Sequence, residues 1–248
     1  LVLVRHGDRF DYANTWWKDR IKALGRYERD PPLSPLGHRQ AREFGAAAAE
    51  TLASRRDGQL VLRTSPYLRC VQTATPLAQL LRADLQLEPN LSEIHHKATN
   101  VAPFKERYQY FPHLVDKEDL AAAEESWPIG YMERVAAYGE SLMTELDAAL
   151  EGGQSTYVLT SHAASVALVS WLTKEELTTD LKFAPTGSYV LARDSASEPW
   201  RVLRAGASNA PYVSENAATT FPWGYRAEYL ASWEGKHGHG NRFPRPAT

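Results

Sequence analysis

The stretch Leu1-Val2-Leu3-Val4-Arg5-His6-Gly7-Asp8-Arg9-Phe10 begins with four apolar residues and then turns abruptly polar. Four such residues in a row predict a strand that is buried on both faces of a sheet. Ligands of open α/β sheets bind beyond the carboxyl ends of the strands, which is where Arg5 and His6 fall. Gly7 allows a tight turn without a side chain in the way. Taken alone, the stretch is equally compatible with an edge strand that ends in an ordinary polar turn.

Three later segments repeat this pattern and favour a site. The apolar run Leu60-Val61-Leu62 is followed by Arg63-Thr64-Ser65-Pro66-Tyr67-Leu68-Arg69-Cys70, which brings Arg69 into the start of a helix. The short alternating run Leu85-Gln86-Leu87 leads to Glu93. A third strand pattern, Tyr157-Val158-Leu159-Thr160-Ser161-His162, ends in a second histidine. Each polar residue follows the end of a predicted strand, so we expect them to converge.

The residue types in this set indicate phosphate chemistry. A neutral imidazole such as that of His6 is a competent nucleophile toward phosphorus, and arginines present charged forks that match phosphoryl oxygens. Arginines around a histidine make a poor metal site and a good phosphate site. Phosphoryl transfer also needs an acid for the leaving oxygen, a role open to Glu93, and His162 is a further donor. Glu88 and Asp8 are rival carboxylates, and sequence chemistry alone does not choose among the three.

Several of these segments resemble the signature of the histidine phosphatase superfamily. The resemblance is carried by Arg5-His6-Gly7, by Ser65-Pro66-x-x-Arg69 and by the strand-terminal His162. Ala163 follows His162, where the acid phosphatase and phytase branch carries Asp or Glu, so the chain is similar to the other, phosphoglycerate-mutase-like branch.

Within that branch the chain is most similar to the TULA and ecdysteroid-phosphate phosphatase type. That type shares an arginine two positions beyond the glycine, matched by Arg9, and a segment matched by Ser65 to Ala74. The segment Leu33 to Ala41 also resembles a helix start of the family. The likeness runs from Leu1 to about Arg193 and is weak between Ile94 and Gly130.

The resemblance implies a three-layer α/β/α fold with a mostly parallel central sheet, helices on both faces and an inserted cap over the active site. It implies that His6 attacks phosphorus, that Arg5, Arg9, Arg69 and His162 hold the phosphoryl oxygens, and that Glu93 is the acid. No metal and no cofactor are expected, because the arginines supply the positive charge. The expected activity is hydrolysis of a phosphomonoester through a phosphohistidine.

We expect one domain over residues 1–248, since 248 residues suffice for a single large α/β core. Residues of approximately 11–32 and 94–130 are the predicted cap segments, and approximately 207–248 an irregular tail. The first cap segment contains Trp16 and Trp17, which either grip a substrate ring or pack the segment onto the domain. The aromatic residues of the second predicted cap segment favour a bulky or aromatic substrate.

Composition narrows the choice of partner and compartment. A net charge of −2 argues against direct nucleic-acid binding and against a membrane surface. Cys70 is the only cysteine, which favours a reducing, intracellular and cytoplasmic location, and its predicted role is a small buried apolar residue. The chain starts at Leu1 without Met, so we expect a leader or preceding domain to be missing. The expected partner is a phosphorylated small molecule or phosphoprotein, and a homodimer or a protein partner remains compatible with the sequence.

Two histidine pairs make weak metal candidates. His95 and His96 are adjacent, so on an extended chain they point to opposite faces. His237 and His239 have no third ligand nearby in the sequence. We predict no metal at either pair.

Two other functions are considered. A phosphoglycerate-type mutase shares the core, but it carries Ser, Trp and Asn soon after the Arg-His-Gly, whereas this chain has Asp8-Arg9-Phe10-Asp11. The segments around Ser65 and His162 also resemble a phosphatase-like subunit of a fungal RNA polymerase III transcription factor, which would make the domain an interaction module. The complete set of predicted site residues favours retained chemistry.

Overall fold

The structure is a computed structural model that describes part of the chain. The described residues are 1–24, 27, 29–53, 58–94, 114–115, 130–178 and 181–209. The histidine pairs at 95–96 and 237–239, most of the second predicted cap segment and nearly all of the predicted tail lie outside them.

Seven described strands form one mixed, mostly parallel sheet. They are β1 (Val2–Arg5), β2 (Gly58–Thr64), β3 (Leu85–Leu87), β4 (Leu114–Val115), β5 (Gln154–Ser161), β6 (Ser188–Ala192) and β7 (Arg201–Arg204). Their order across the sheet is β4-β3-β2-β5-β1-β6-β7. The pairs from β4 to β1 are parallel, whereas β6 and β7 join antiparallel at one edge. The predicted α/β class with a mostly parallel sheet is confirmed.

Helices cover both faces of this sheet. They are α1 (Phe10–Ala13), α2 (Trp17–Ala23), α3 (Pro35–Ala53), α4 (Leu68–Leu81), α5 (Tyr131–Glu151) and α6 (Val166–Thr173), with short 3₁₀ helices at Pro89–Leu91 and Ala163–Ser165. One core cluster joins strand residues such as Val4 to α3 and α4, and the other joins Leu3 to α5 and α6. Adjacent residues of β1 therefore enter opposite cores, as expected for a strand buried on both faces.

The loop after β1 lies directly against the start of α3. A Cβ on Gly7 would lie 2.8 Å from the Gly37 carbonyl oxygen, and a Cβ on Gly37 would collide with the backbone of Asp8. The φ of Gly7 is not in the left-handed region. Gly7 is therefore required by close packing of two backbones rather than by the tight turn that the sequence suggested.

The two predicted cap segments contain secondary structure that the sequence did not predict. The first holds α1 and α2, and none of the residues of α2 is buried. In the second, β4 pairs parallel with β3 and so extends the sheet. Among the described residues, no helix is long and apolar enough to cross a membrane.

Candidate active site

The carboxyl ends of three neighbouring parallel strands build the centre of the site. Strand β5 lies between β1 and β2, with Arg5 paired to Ser161 and Thr64 paired to Thr160. The next residue of each strand, His6, Ser65 or His162, therefore emerges at the same edge of the sheet. The imidazole centroids of His6 and His162 are 5.4 Å apart, and both side chains are buried.

The contacts of His6 fix its tautomer. Its Nδ1 lies 2.8 Å from the carbonyl oxygen of Gly7, which can only accept, so Nδ1 carries the hydrogen and Nε2 keeps its lone pair. Burial lowers the pKa of His6 well below its usual value, and the positive charges of Arg69 and Arg5 lower it further. His6 is thus a neutral imidazole with a free ring nitrogen at physiological pH.

His162 is also held neutral, by different neighbours. Its Nδ1 lies 3.1 Å from Nη2 of Arg69, and its Nε2 lies 2.8 Å from Oγ of Ser65. Because a guanidinium only donates, Nδ1 is the acceptor and Nε2 carries the hydrogen in this arrangement. Burial, followed by the charge of Arg69 and of other arginines, lowers the pKa of His162 well below its usual value.

Arg69 connects the second histidine to two carboxylates. It lies in the first turn of α4, with its guanidinium 4.4 Å from the ring centroid of Tyr67. Its Nη2 lies 3.4 Å from Oε2 of Glu93, and its Nη1 lies 3.7 Å from Oδ1 of Asp30. A buried arginine with carboxylates on two sides has its orientation fixed before any ligand arrives.

Arg5 and Arg9 complete the set of predicted arginines. Arg5 is buried and donates from Nη1 to the carbonyl oxygen of Phe183, and burial lowers the pKa of its guanidinium. Arg9 is partly exposed and makes a two-pronged ion pair with Asp11, at 2.9 and 2.6 Å. Tyr12 lies beside both arginines, since its ring centroid is 4.7 Å from the Arg9 guanidinium carbon and it is near enough to Arg5 to raise the pKa of that guanidinium against the effect of burial.

Of the three candidate carboxylates, Glu93 is the one that the fold brings to His162. Its Oε2 lies 3.4 Å from Nδ1 of His162, and its side chain is 31% exposed. The rival Asp8 accepts a hydrogen bond of 2.6 Å from the Ser34 hydroxyl at the start of α3. Glu88 accepts from the backbone N–H and side-chain amide of Asn90. Both rivals are engaged in local structure, whereas Glu93 faces the site.

The family assignment follows from a comparison with known families. The sequence profile of the histidine phosphatase superfamily (branch 1) matches residues 1–205. The chain belongs to this superfamily. The resemblance read from Arg5-His6-Gly7, Ser65-Pro66-x-x-Arg69 and His162 is confirmed.

A curated relative and solved structures of this superfamily are similar to the chain. Ubiquitin-associated and SH3 domain-containing protein A of Mus musculus is 29% identical over 120 residues, which is 38% of this chain. The match spans only 19% of that relative's length. The ecdysone phosphate phosphatase of Bombyx mori, solved with tungstate, has a TM-score of 0.58 at 19% identity, covering 90% of this chain and 97% of that one.

A mycobacterial glucosyl-3-phosphoglycerate phosphatase, solved with inorganic phosphate, has a TM-score of 0.52 at 22% identity. That match covers 84% of this chain and 96% of the other. At such identities the solved structures establish the fold. The predicted likeness to the TULA and ecdysteroid-phosphate phosphatase type is confirmed by these matches, in fold for the Bombyx mori phosphatase and in sequence over 120 residues for the mouse protein.

Three residues of this histidine phosphatase site were not predicted. Asp30 accepts from the N–H of Leu68 at 2.7 Å and pairs with Arg69, Ser65 contacts His162, and Arg134 binds the backbone at Glu93. Arg134 had at most a weak signal, as a charged residue beside the apolar Met132 and Val135 in the helix that begins at Tyr131. Asp30 had none, since its partners lie far along the chain.

Cys70 is a buried, unreactive thiol. Cys70 is buried beside His162, and burial raises the pKa of its thiol to about 12. A thiol of that pKa is inert at neutral pH. Within the described ranges, no three His, Cys, Asp or Glu side chains are grouped so as to hold a metal ion.

Proposed function

We propose that this protein is a metal-independent phosphatase that hydrolyses a phosphomonoester through a phosphohistidine at His6. The observation that carries the proposal is the state of His6: a buried, neutral imidazole whose Nδ1 is bound to Gly7 and whose Nε2 lone pair is free. Its arginine neighbours carry the positive charge that phosphoryl transfer requires. Membership of the superfamily and its phosphatase relatives support the same activity.

In the first step, Nε2 of His6 forms a bond to phosphorus while the bond from phosphorus to the ester oxygen breaks. The proton that the departing alcohol needs comes from Glu93, whose carboxyl lies beside Arg69 and His162. Arg5, Arg9 and Arg69 bind the three equatorial oxygens as their charge develops.

In the second step, a water oxygen attacks phosphorus and the bond between phosphorus and His6 breaks. Glu93, now a carboxylate, takes the proton from that water, so one group serves as acid and then as base. Inorganic phosphate leaves, and His6 and Glu93 return to their starting states.

The contact between Ser65 and His162 allows the second histidine to donate to a phosphoryl oxygen. A hydroxyl both donates and accepts, so the Ser65 O–H can donate to Nε2 when the hydrogen of His162 resides on Nδ1. His162 can therefore donate from Nδ1 while it stays neutral, as its lowered pKa requires, once the Arg69 guanidinium that donates to Nδ1 in the free site turns to the phosphoryl group.

A bulky or aromatic leaving group is the substrate class that the first cap segment supports. Tyr12 lies beside Arg5 and Arg9 while 45% exposed, and Trp16 is 47% exposed. Phe10 packs edge-on against both Trp16 and Trp17, at centroid distances of 5.8 and 5.6 Å. The aromatic residues of this cluster thus pack against one another while Tyr12 and Trp16 remain exposed. The exposed rings are suited to contact a ring on the substrate.

The test is hydrolysis of p-nitrophenyl phosphate in excess EDTA by wild type, His6→Ala and His38→Ala. We expect EDTA-resistant turnover that His6→Ala abolishes, whereas His38→Ala, a change on the outer helix α3, leaves it intact. An alkaline quench with labelled substrate should recover phosphate on the peptide containing His6. Turnover that needs a metal, or that persists in His6→Ala, would overturn the proposal, and transfer of the label to an acceptor alcohol instead of water would indicate a mutase.

A further inference from the structure

The loop that carries Glu93 is held from two sides. Ser161, the residue before His162, donates from its hydroxyl to the carbonyl oxygen of Leu91 at 2.6 Å. On the other side, Nη2 of Arg134 donates to the carbonyl oxygens of Ser92 and Glu93, both at 2.9 Å. Ser161 thus ties the loop to the strand of His162, and Arg134 ties it to α5.

Arg134 also joins the two ends of a long segment of the chain. It lies in the first turn of α5, and its N–H donates to the carbonyl oxygen of Gly130. Its guanidinium binds residues 92–93, so the side chain joins that loop to the beginning of α5. Only 6% of Arg134 is exposed, and its guanidinium lies 5.0 Å from the ring centroid of Tyr131. The side chain is therefore a buried cross-link between the loop of Glu93 and the first turn of α5.

The side chain of Glu93 depends on this support. Its Oε2 is 3.4 Å from both Arg69 and His162, longer than the 2.7 to 2.9 Å typical of charge-assisted hydrogen bonds. Among the described residues, its Oε1 accepts only from a neighbouring backbone group, the N–H of Ile94. With such long contacts at its tip, the position of the carboxyl is set mainly by the backbone of Glu93, which Arg134 binds directly.

Arg134 also acts on the second histidine through its charge. It is one of the arginines that lower the pKa of His162, after burial and the charges of Arg69 and Arg9. Removing it would make His162 easier to protonate and would release the acid loop at the same time.

We infer that Arg134 is a positioning residue that fixes Glu93 for proton transfer to the leaving oxygen. The inference rests on the proposed acid role of Glu93. It assigns to Arg134 no contact with substrate: the guanidinium works by holding two successive carbonyl groups.

The test compares Arg134→Met with Arg193→Met on two substrates. Arg193 is a matched control, because it is 7% exposed, pairs with Asp147 and follows β6 beside the amino end of β1, at the end of the sheet opposite to the site. For Arg134→Met we expect the rate of alcohol release in the first turnover to fall at least about tenfold more with an alkyl phosphate than with p-nitrophenyl phosphate, whose leaving group needs little protonation. Inhibition by inorganic phosphate should change by less than about twofold, since the phosphate-binding arginines are untouched. Arg134→Lys, which keeps the charge, should recover part of the loss.

Equal losses on the two substrates, or a pattern like that of Arg193→Met, would overturn the inference. Glu93→Gln, assayed in the same way, distinguishes a wrong role for Arg134 from a wrong role for Glu93. If Glu93→Gln also loses activity equally on both substrates, Glu93 is not the acid.

Hydrogen exchange tests separately whether Arg134 holds the loop of Glu93. We expect the amides of residues 88–94 to exchange faster in Arg134→Met than in wild type, and unchanged exchange there would remove Arg134 from the positioning role.

Discussion

The deep pocket and the rim of this site are built in different ways. The deep pocket consists of Arg5, His6, Arg69 and His162, none of which is more than 3% exposed. The rim consists of Arg9, Tyr12, Trp16 and Glu93, all partly exposed or exposed. Pocket residues follow strands or begin a helix packed in the core, whereas rim residues lie in loops and short helices.

This difference suggests that the two parts of the site bind different parts of the substrate. A group held by the sheet offers the same geometry to every substrate, so the deep pocket suits the phosphoryl group that all substrates share. A group on a loop beside solvent contacts the part that varies, which is the leaving group. If the division holds, pocket variants lose activity on all phosphomonoesters alike, and rim variants lose it selectively.

The largest of the effects compared here should come from Arg69→Lys. The variant keeps the charge but loses the fork that contacts His162, Glu93 and Asp30. We expect kcat/KM to fall by about 10² to 10³ on both p-nitrophenyl phosphate and an alkyl phosphate. Arg63→Lys is the matched control, since Arg63 lies on β2 and its fork binds Glu145. A loss confined to one of the two substrates would contradict the assignment of Arg69 to the deep pocket.

Glu93→Gln should give the most selective loss. The amide keeps the shape of the side chain but can neither donate the proton nor take it from water. With an alkyl phosphate, kcat should fall by about 10² or more, and with p-nitrophenyl phosphate the first step should fall by much less. The rate of nitrophenolate release in the first turnover measures that step alone. Equal loss on both substrates in that measurement would remove Glu93 from the acid role.

The same division explains how much of the site the sequence could predict. The pocket residues Arg5, His6 and His162 each follow an apolar strand, and the meeting of parallel strand ends is a general rule of α/β folds. The core helices, such as α5 at Tyr131–Glu151, follow from apolar residues that recur at helical spacing.

Rim and supporting residues lack such local signals. Sequence chemistry left Glu93, Glu88 and Asp8 as equals, and only the family resemblance favoured Glu93. The fold separates them, because Glu88 is bound to Asn90 and Asp8 to Ser34. Helix α2 escaped prediction because Trp17–Ala23 is mostly polar and buries none of its residues, so it has no apolar stripe. The pairing of Asp30 with Arg69 joins residues far apart in sequence, which no periodicity encodes.

The buried histidines give a smaller, pH-dependent effect. Burial lowers the folded-state pKa of His6 and of His162 well below the unfolded value of about 6.5. The unfolded chain therefore binds more protons below that pH, so stability is constant above about pH 6.5 and falls as the pH drops below it.

Between pH 7.5 and 5.5 the loss should be about 1 kcal/mol for each of the two groups, measured as the free energy of unfolding in urea. Replacing either histidine by Asn should remove that histidine's part of the pH-dependent loss in the free energy of unfolding. In the wild type, NMR should show both imidazoles neutral from pH 8 to 6. An imidazole of the deep pocket that titrates near pH 6.5 would contradict the lowered pKa.

The smallest expected effect belongs to Trp16, at the outer end of the rim. Its indole is 47% exposed, packs edge-on against Phe10 and lies 5.6 Å from the Arg20 guanidinium carbon, so truncation leaves the deep pocket untouched. For Trp16→Ala we expect KM for a bulky aromatic phosphate to rise about three- to tenfold, as for a loss of about 1 kcal/mol of ring contact, with kcat unchanged. A small alkyl phosphate should be unaffected.

Leu203→Ala is the control for Trp16→Ala, because Leu203 is also an exposed apolar residue, 60% accessible, but lies on β7 at the edge of the sheet. If Trp16→Ala changes KM equally for aromatic and alkyl phosphates, the aromatic cluster only packs the first cap segment onto the domain. The rim would then end at Tyr12 and Glu93, and selectivity for the leaving group would have to come from residues that lie closer to the arginines.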